Sequence, residues 1–156
     1  MNANTDSIAP ATTPVAGSGF SEQQVLERLR PLITEVTGVP PGHVAMASIL
    51  MADLGAESID LLDLSFLVEE RFGITIEPNE FESRARARLP GGVFERDGCL
   101  TDEALAELGR LMPEVRPDRL APGLRRADLP TILTVGVLVH LIQRKTAEND
   151  GEVGHA

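Results

Sequence analysis

The stretch Asp53-Leu54-Gly55-Ala56-Glu57-Ser58-Ile59-Asp60-Leu61-Leu62-Asp63-Leu64-Ser65-Phe66-Leu67-Val68-Glu69-Glu70-Arg71-Phe72-Gly73 decides how the rest of the chain is read. From Glu57 or Ser58 onward it is rich in Leu and Glu and closes on a glycine, the pattern of a helix with a defined stop. At roughly 100° per residue, Leu61, Leu64, Val68 and Phe72 share one side, with Leu67 at its margin, and that side is expected to face a core. Ile59, Leu62 and Phe66 gather on the opposite side, interleaved with Asp63, Glu69 and Glu70. A helix in a small domain has little reason to carry a second apolar stripe. Edged with carboxylates, such a stripe suits docking to basic partners, charge steering the encounter and apolar contact holding it. The competing explanation is that another segment of the chain covers it.

Reading toward the N-terminus, Val39–Gly55 is a loop pinned by Val44, Met46, Ile49, Leu50 and Leu54. Before it, Ser21 is a plausible N-cap, and Val25, Leu26, Leu29, Leu32, Ile33 and Val36 recur at the spacing of an amphipathic helix. Pro31 should bend that helix or remove one hydrogen bond. Gly38, Pro40 and Pro41 stop it. Residues 1–19, rich in Ala, Thr, Pro, Ser and Gly, are expected to form a disordered tail.

Toward the C-terminus the chain turns irregular, with Pro78, a basic run of Arg84, Arg86 and Arg88, then Pro90, Gly91, Gly92 and Gly98. The arginines are expected to dock against the domain's own acidic helix. Thr101 is a good N-cap, Asp102 and Glu103 complement a helix dipole, and Leu100 and Leu105 are spaced as a hydrophobic staple, predicting a helix to Leu111 that Pro113 ends. A final helix is predicted over Thr134–Lys145, capped by Thr134, apolar at Val135, Leu138, Val139, Leu141 and Ile142, and cationic at Arg144 and Lys145. Residues 146–156 are expected to be a disordered tail.

The 156 residues allow one domain, or one small domain with an appended segment. Aromatic residues are only 3%, with no Trp or Tyr, which favours aliphatic helix packing over a β-sandwich. The formal charge of −10 excludes a phosphate-binding nucleic-acid surface and points to basic partners. Met1–Phe20 has neither a basic residue nor an apolar run, so no secretory signal is expected, and no stretch is apolar enough to span a bilayer. With a single cysteine, Cys99, no internal disulfide is possible, and a cytoplasmic, monomeric protein is expected. His43, His140 and His155 are too scattered for a metal site, and His140 reads as a rim or core residue. Asp53, Glu57, Asp60 and Asp63 lack the spacing of a calcium loop, so no metal is expected.

Ser58 stands at the mouth of the central helix, where a serine is commonly no more than a cap. The run Asp53–Leu64, however, resembles the Asp-Ser-Leu region of acyl and peptidyl carrier proteins, in which the serine bears 4′-phosphopantetheine. Glu69–Ile76 is similar to the end of that family's second helix and the following loop, Ser21–Val36 to its first helix, and Thr134–Ile142 to its last. The resemblance covers roughly Phe20–Phe81 and Leu129–Lys145. It implies an all-α four-helix bundle over residues 20–145 with an extra helical insertion at about 82–129. It also implies that Ser58 starts the second helix and receives its arm from a phosphopantetheinyl transferase using coenzyme A and magnesium. Partner enzymes that make or transfer acyl chains would dock on Glu57, Ile59, Asp60, Leu62, Asp63, Phe66, Glu69 and Glu70. The implied protein is no enzyme but a carrier, holding acyl chains as thioesters in specialised fatty acid, lipid or polyketide biosynthesis.

The chemistry of the position agrees. Unpaired N–H groups and the positive end of the helix dipole favour a phosphodiester there, and with no His nearby in sequence the base that activates Ser58 must come from the transferase. Two departures from the family pattern stand out: Glu57 occupies the usual Asp position and Ile59 the usual Leu, and the insertion has room for a helix of its own. It could enlarge an acyl pocket, bind a partner or only extend the structure. A peptidyl or aminoacyl carrier and an unmodified interaction module remain the alternatives. A serine hydrolase does not fit, because Gly55-Ala56-Glu57-Ser58-Ile59 is not the G-x-S-x-G elbow.

Overall fold

A computed structural model describes residues 20–77, 79–89 and 91–155. The expected N-terminal tail, residues 1–19, lies outside the described residues. The first helix, α1 (Glu22–Thr37), begins as its sequence requires: the Ser21 hydroxyl accepts the Gln24 N–H at 3.1 Å, and the Gln24 side chain accepts the Ser21 N–H at 2.8 Å. Pro31 lies within α1 on its exposed side and costs the helix one backbone donor. Gly38, at φ 83°, ends the helix in the left-handed region and returns its N–H to Thr34 O at 2.8 Å.

The second helix, α2 (Ser58–Phe72), is followed by α3 (Glu80–Ala87), a hairpin of β1 (Glu95–Arg96) and β2 (Cys99–Leu100), then α4 (Asp102–Leu111) and α5 (Val135–His155). Short 3₁₀ turns occupy Pro41–His43, Pro117–Arg119 and Arg126–Ile132. The fold is all-α apart from this two-stranded ribbon: a carrier-type helical bundle with a helical insertion. Among the described residues no helix is long and apolar enough to cross a membrane.

Two apolar cores organise the chain. The first gathers α1 (Val25, Leu29, Ile33), α2 (Leu64, Val68) and α5 (Val135, Val139, Ile142) with loop residues Val44, Leu50, Leu54 and Ala56. The second gathers Ala85 of α3, Phe94, Leu100, α4 (Ala104, Leu105, Leu108), Met112, Ile132 and Val137. Leu133 packs against both, and α5 contributes to both. The predicted face of α2 is the buried one, with Leu61, Leu67 and Phe72 flanking Leu64 and Val68. Thr101 caps α4 by accepting the Ala104 N–H at 3.2 Å.

Three expectations are corrected. Residues 80–87, read as irregular, are helical because Glu80 and Glu82 each pair with an arginine one turn on. The chain does not fall into disorder at 146: α5 runs on to His155, with Thr146 buried and its hydroxyl donating to Ile142 O, and Asn149 Nδ2 donating to Gly73 O at 2.9 Å. The cationic pair Arg144 and Lys145 therefore lies inside α5, and Lys145 reaches across to Thr75 O and Glu80.

Candidate functional site

The loop before α2 is fixed at several points, and these place Ser58. Leu50 N–H donates to Leu133 O at 2.9 Å and Ala56 N–H to Leu50 O at 3.0 Å, so the loop is laced to the head of α5. Asp53 carboxylate accepts the Ile49 N–H at 2.8 Å, which gives this acid a structural task. Buried Leu54 and Ala56 anchor the segment from below. Glu57 is then the N-cap, in extended conformation, and its N–H is accepted by Asp60 at 2.9 Å. Ser58 is therefore the first helical residue rather than the cap, and it is exposed. Its hydroxyl stands at the positive end of a 15-residue helix, where a phosphate is favoured and an external enzyme has access.

The second apolar stripe on α2 is not covered: Ile59, Leu62 and Phe66 are 57%, 50% and 58% exposed. Glu57, Asp63 and Glu70 are exposed around it. The other two acids of the set are partly occupied within the fold, Asp60 in the cap and Glu69 by accepting the Ile76 N–H at 2.7 Å. The arginine run does not dock on α2. Arg84 pairs with Glu80 at 3.0 Å, Arg86 with Glu82 at 2.9 Å, and the Arg86 guanidinium lies 4.5 Å from the centre of the Phe94 ring. Partners one helical turn away are reached at a smaller entropic cost than a distant helix face.

Beside Ser58 opens a cavity of about 700 Å³ whose walls sequence reading does not identify. Ser58, Leu62 and Phe66 lie along it, Leu61, Leu64, Leu138 and Leu141 line it from the bundle, and Met112 and Leu129 from the insertion. Its walls come from at least five separate stretches of chain, around Leu50, Ser58, Phe81, Met112 and Leu133, so no local pattern could announce it. Ser58 thus stands between an open helix end and an apolar recess.

Two charged clusters brace this region. Glu80 is buried, accepts the Glu77 N–H at 3.0 Å, and pairs with Lys145 at 3.1 Å and Arg84. Burial opposes its charge, yet that N–H, Lys145 and Arg84 outweigh burial and hold its carboxyl below the ordinary value. His140, expected at a rim or in the core, faces Glu114 through Nδ1 and Glu22 through Nε2 at 2.6 Å. Burial disfavours the imidazolium, but the two carboxylates prevail and its pKa is raised.

A helical carrier-type bundle presenting an exposed serine at a helix start is the class these features define. The family model described as "phosphopantetheine attachment site" matches residues 27–85. Among characterised proteins, the acyl carrier protein of Campylobacter hominis is 39% identical over 59 residues, 38% of this chain and 75% of its own length. Acyl carrier protein 2 of Ralstonia nicotianae is 35% identical over 64 residues, 41% of this chain and 79% of its own. The acyl carrier protein of Thermotoga maritima is 32% identical over 62 residues, 40% and 76% respectively. This chain belongs to the acyl carrier protein family, and the group its members bear is 4′-phosphopantetheine.

Proposed function

We propose that Ser58 is the attachment point of the arm and that the protein carries acyl chains as thioesters to partner enzymes of specialised fatty acid, lipid or polyketide biosynthesis. The observation that carries this reading is the division of labour at the start of α2: Glu57 and Asp60 make the cap, leaving an exposed Ser58 hydroxyl at the helix terminus beside an apolar cavity. In the loading step a base of the transferase takes the Ser58 proton while Oγ forms a new bond to the pantetheine-side phosphorus of coenzyme A. The phosphoanhydride bond breaks, and adenosine 3′,5′-bisphosphate leaves. When bound, the arm supplies a thiol that holds the acyl group at thioester reactivity.

In this reading the protein is a monomeric, cytoplasmic carrier rather than an enzyme. Its partners approach α2 with basic surfaces, steered by Glu57, Asp60, Asp63, Glu69 and Glu70 and held by Ile59, Leu62 and Phe66. Residues 20–145 and the helix beyond form the carrier domain, and about 82–129 its insertion. The test is intact-protein mass spectrometry after incubation with coenzyme A, magnesium and a broad-specificity phosphopantetheinyl transferase, with Ser58→Ala in parallel. A gain of one phosphopantetheine in the wild type alone is expected. No gain, or an equal gain in the variant, refutes Ser58 as the site.

A further inference from the structure

The cavity beside Ser58 is walled by two different parts of the chain. Leu61, Leu64 and Leu138 belong to helices of the bundle, whereas Met112, Ala127 and Leu129 belong to the segment beyond the family match at 27–85. Its lining differs in burial: Leu62 and Phe66 are half-exposed, while Leu64, Met112 and Leu141 are 1–2% exposed. Met112 is thus the sealed part of the lining that the insertion supplies, held where its N–H closes α4 on Leu108 O at 2.8 Å.

The cavity is open to water along Leu62 and Phe66, and apolar walls that face water gain when matter of like polarity covers them. A space of about 700 Å³ falls in the size range of small-molecule sites, so filling it with matter of like polarity is favourable. Of the charged residues along its margin, Arg126 is matched with Glu82 at 3.3 Å and with Glu95 at 3.1 Å, and Glu80 with Lys145 and Arg84, while Glu77 makes no ion pair among the described residues. An anionic cargo would meet Glu77 and have to displace a partner of Arg126, whereas an uncharged hydrocarbon chain would do neither.

We propose that the inserted segment sets the length of apolar acyl chain this carrier shelters, with Met112 as the depth-setting residue. The inference rests on Ser58 bearing the arm. Each methylene that enters the cavity multiplies the sheltered-to-exposed ratio by about four, until the chain reaches Met112 and further carbons gain nothing. A shorter side chain at 112 extends that limit, and a bulkier one at the cavity margin brings it nearer.

The experiment loads the full chain with a series of straight saturated acyl-pantetheines, using a broad-specificity transferase and the acyl-coenzyme A esters, and verifies loading by intact mass. Thioester cleavage by neutral hydroxylamine is then timed for each length. The expected result is protection that rises with length to a plateau, the plateau moving to longer chains in Met112→Ala and to shorter ones in Ala127→Phe. Ala127 is exposed, so this second variant adds bulk without disturbing a core and keeps the test decisive if Met112→Ala fails to fold. Loading without length dependence, or a plateau that Ala127→Phe leaves in place, overturns the proposal while leaving Ser58 as the carrier site. Failure to load overturns both.

Discussion

His140 lies on α5 with a carboxylate at each ring nitrogen, Glu22 from the start of α1 and Glu114 from the segment after α4. One protonated imidazole thereby ties the insertion and the first helix to the last. Because the folded state raises its pKa above the ordinary 6.5, this contribution is fully present below about that value and is lost as pH rises through the folded value. His140 is about a third exposed and Glu22 more than half, so solvent screens the pair and the effect is modest. The melting temperature of the wild type should exceed that of His140→Gln most at about pH 6, and the gap should narrow toward about pH 9. A gap that is constant or widens with pH would show that the imidazolium is not the stabilising species. Glu80 follows the opposite sign. Its lowered pKa contributes stability above the ordinary 4.5 that is lost as pH falls through the folded value. Lys145→Met removes one of its two cationic partners and leaves the carboxylate buried against Arg84, which should cost about 1–3 kcal/mol in denaturant unfolding near neutral pH. That loss should shrink in acid as Glu80 protonates. An equal loss at low pH would reveal lost packing of the lysine stem instead.

Helix ends show how a few atoms set an element. The Thr101 hydroxyl donates to Val93 O while accepting the Ala104 N–H, so it caps α4 and clasps the segment before the hairpin. Thr101→Val keeps the shape and loses both bonds; it should destabilise the protein by about 1–2 kcal/mol, with Thr101→Ser recovering most of that in chemical denaturation. If valine proves neutral, packing of the γ-methyl outweighs both hydrogen bonds. The helices written with such caps, α1, α2 and α4, were legible from the chain alone because Ser21, Gly38, Gly73 and Thr101 each act on neighbours within four residues. α3 was hidden because its apolar content is little more than Phe81 and Ala85, and its signal was ionic, the Glu80–Arg84 and Glu82–Arg86 spacing. The hairpin had a local mark in Asp97-Gly98, both at positive φ as a tight two-residue turn demands. α5 outlasts its apolar pattern because Asn149 and Lys145 are held by Gly73 and Thr75, contacts some 70 residues away in sequence that no window can display. The same division holds at the site. The family-like run around Ser58 was readable from the chain alone, while the cavity beside it requires chain elements that only folding brings together.

At the scale of the whole molecule, two cores share one helix. Val135, Val139 and Ile142 of α5 face the first core and Val137 the second, with Leu133 wedged between them and the Ser58 cavity bounded by residues of both. The second core is built from residues 85–137, so most of its contacts form and break without moving α1 or α2. The cavity, meanwhile, removes cohesion where the two cores meet. Contiguous units with local contacts and a weak junction open at lower free energy than the whole. Leu108, fully buried in the second core, is the position where truncation acts on that unit: Leu108→Ala should cost it about 2–5 kcal/mol. Hydrogen exchange of the full chain should then show amides of α4 and the β1–β2 hairpin exchanging faster by a factor of about 30 or more, while those of Val25–Ile33 in α1 change far less. Equal acceleration in α1 and α4 would mean that α5 couples the cores into one cooperative unit. In that event the cavity beside Ser58 could widen only by opening the whole fold. Selective acceleration would identify the insertion as the wall of that cavity that can yield while the helix bearing Ser58 keeps its place.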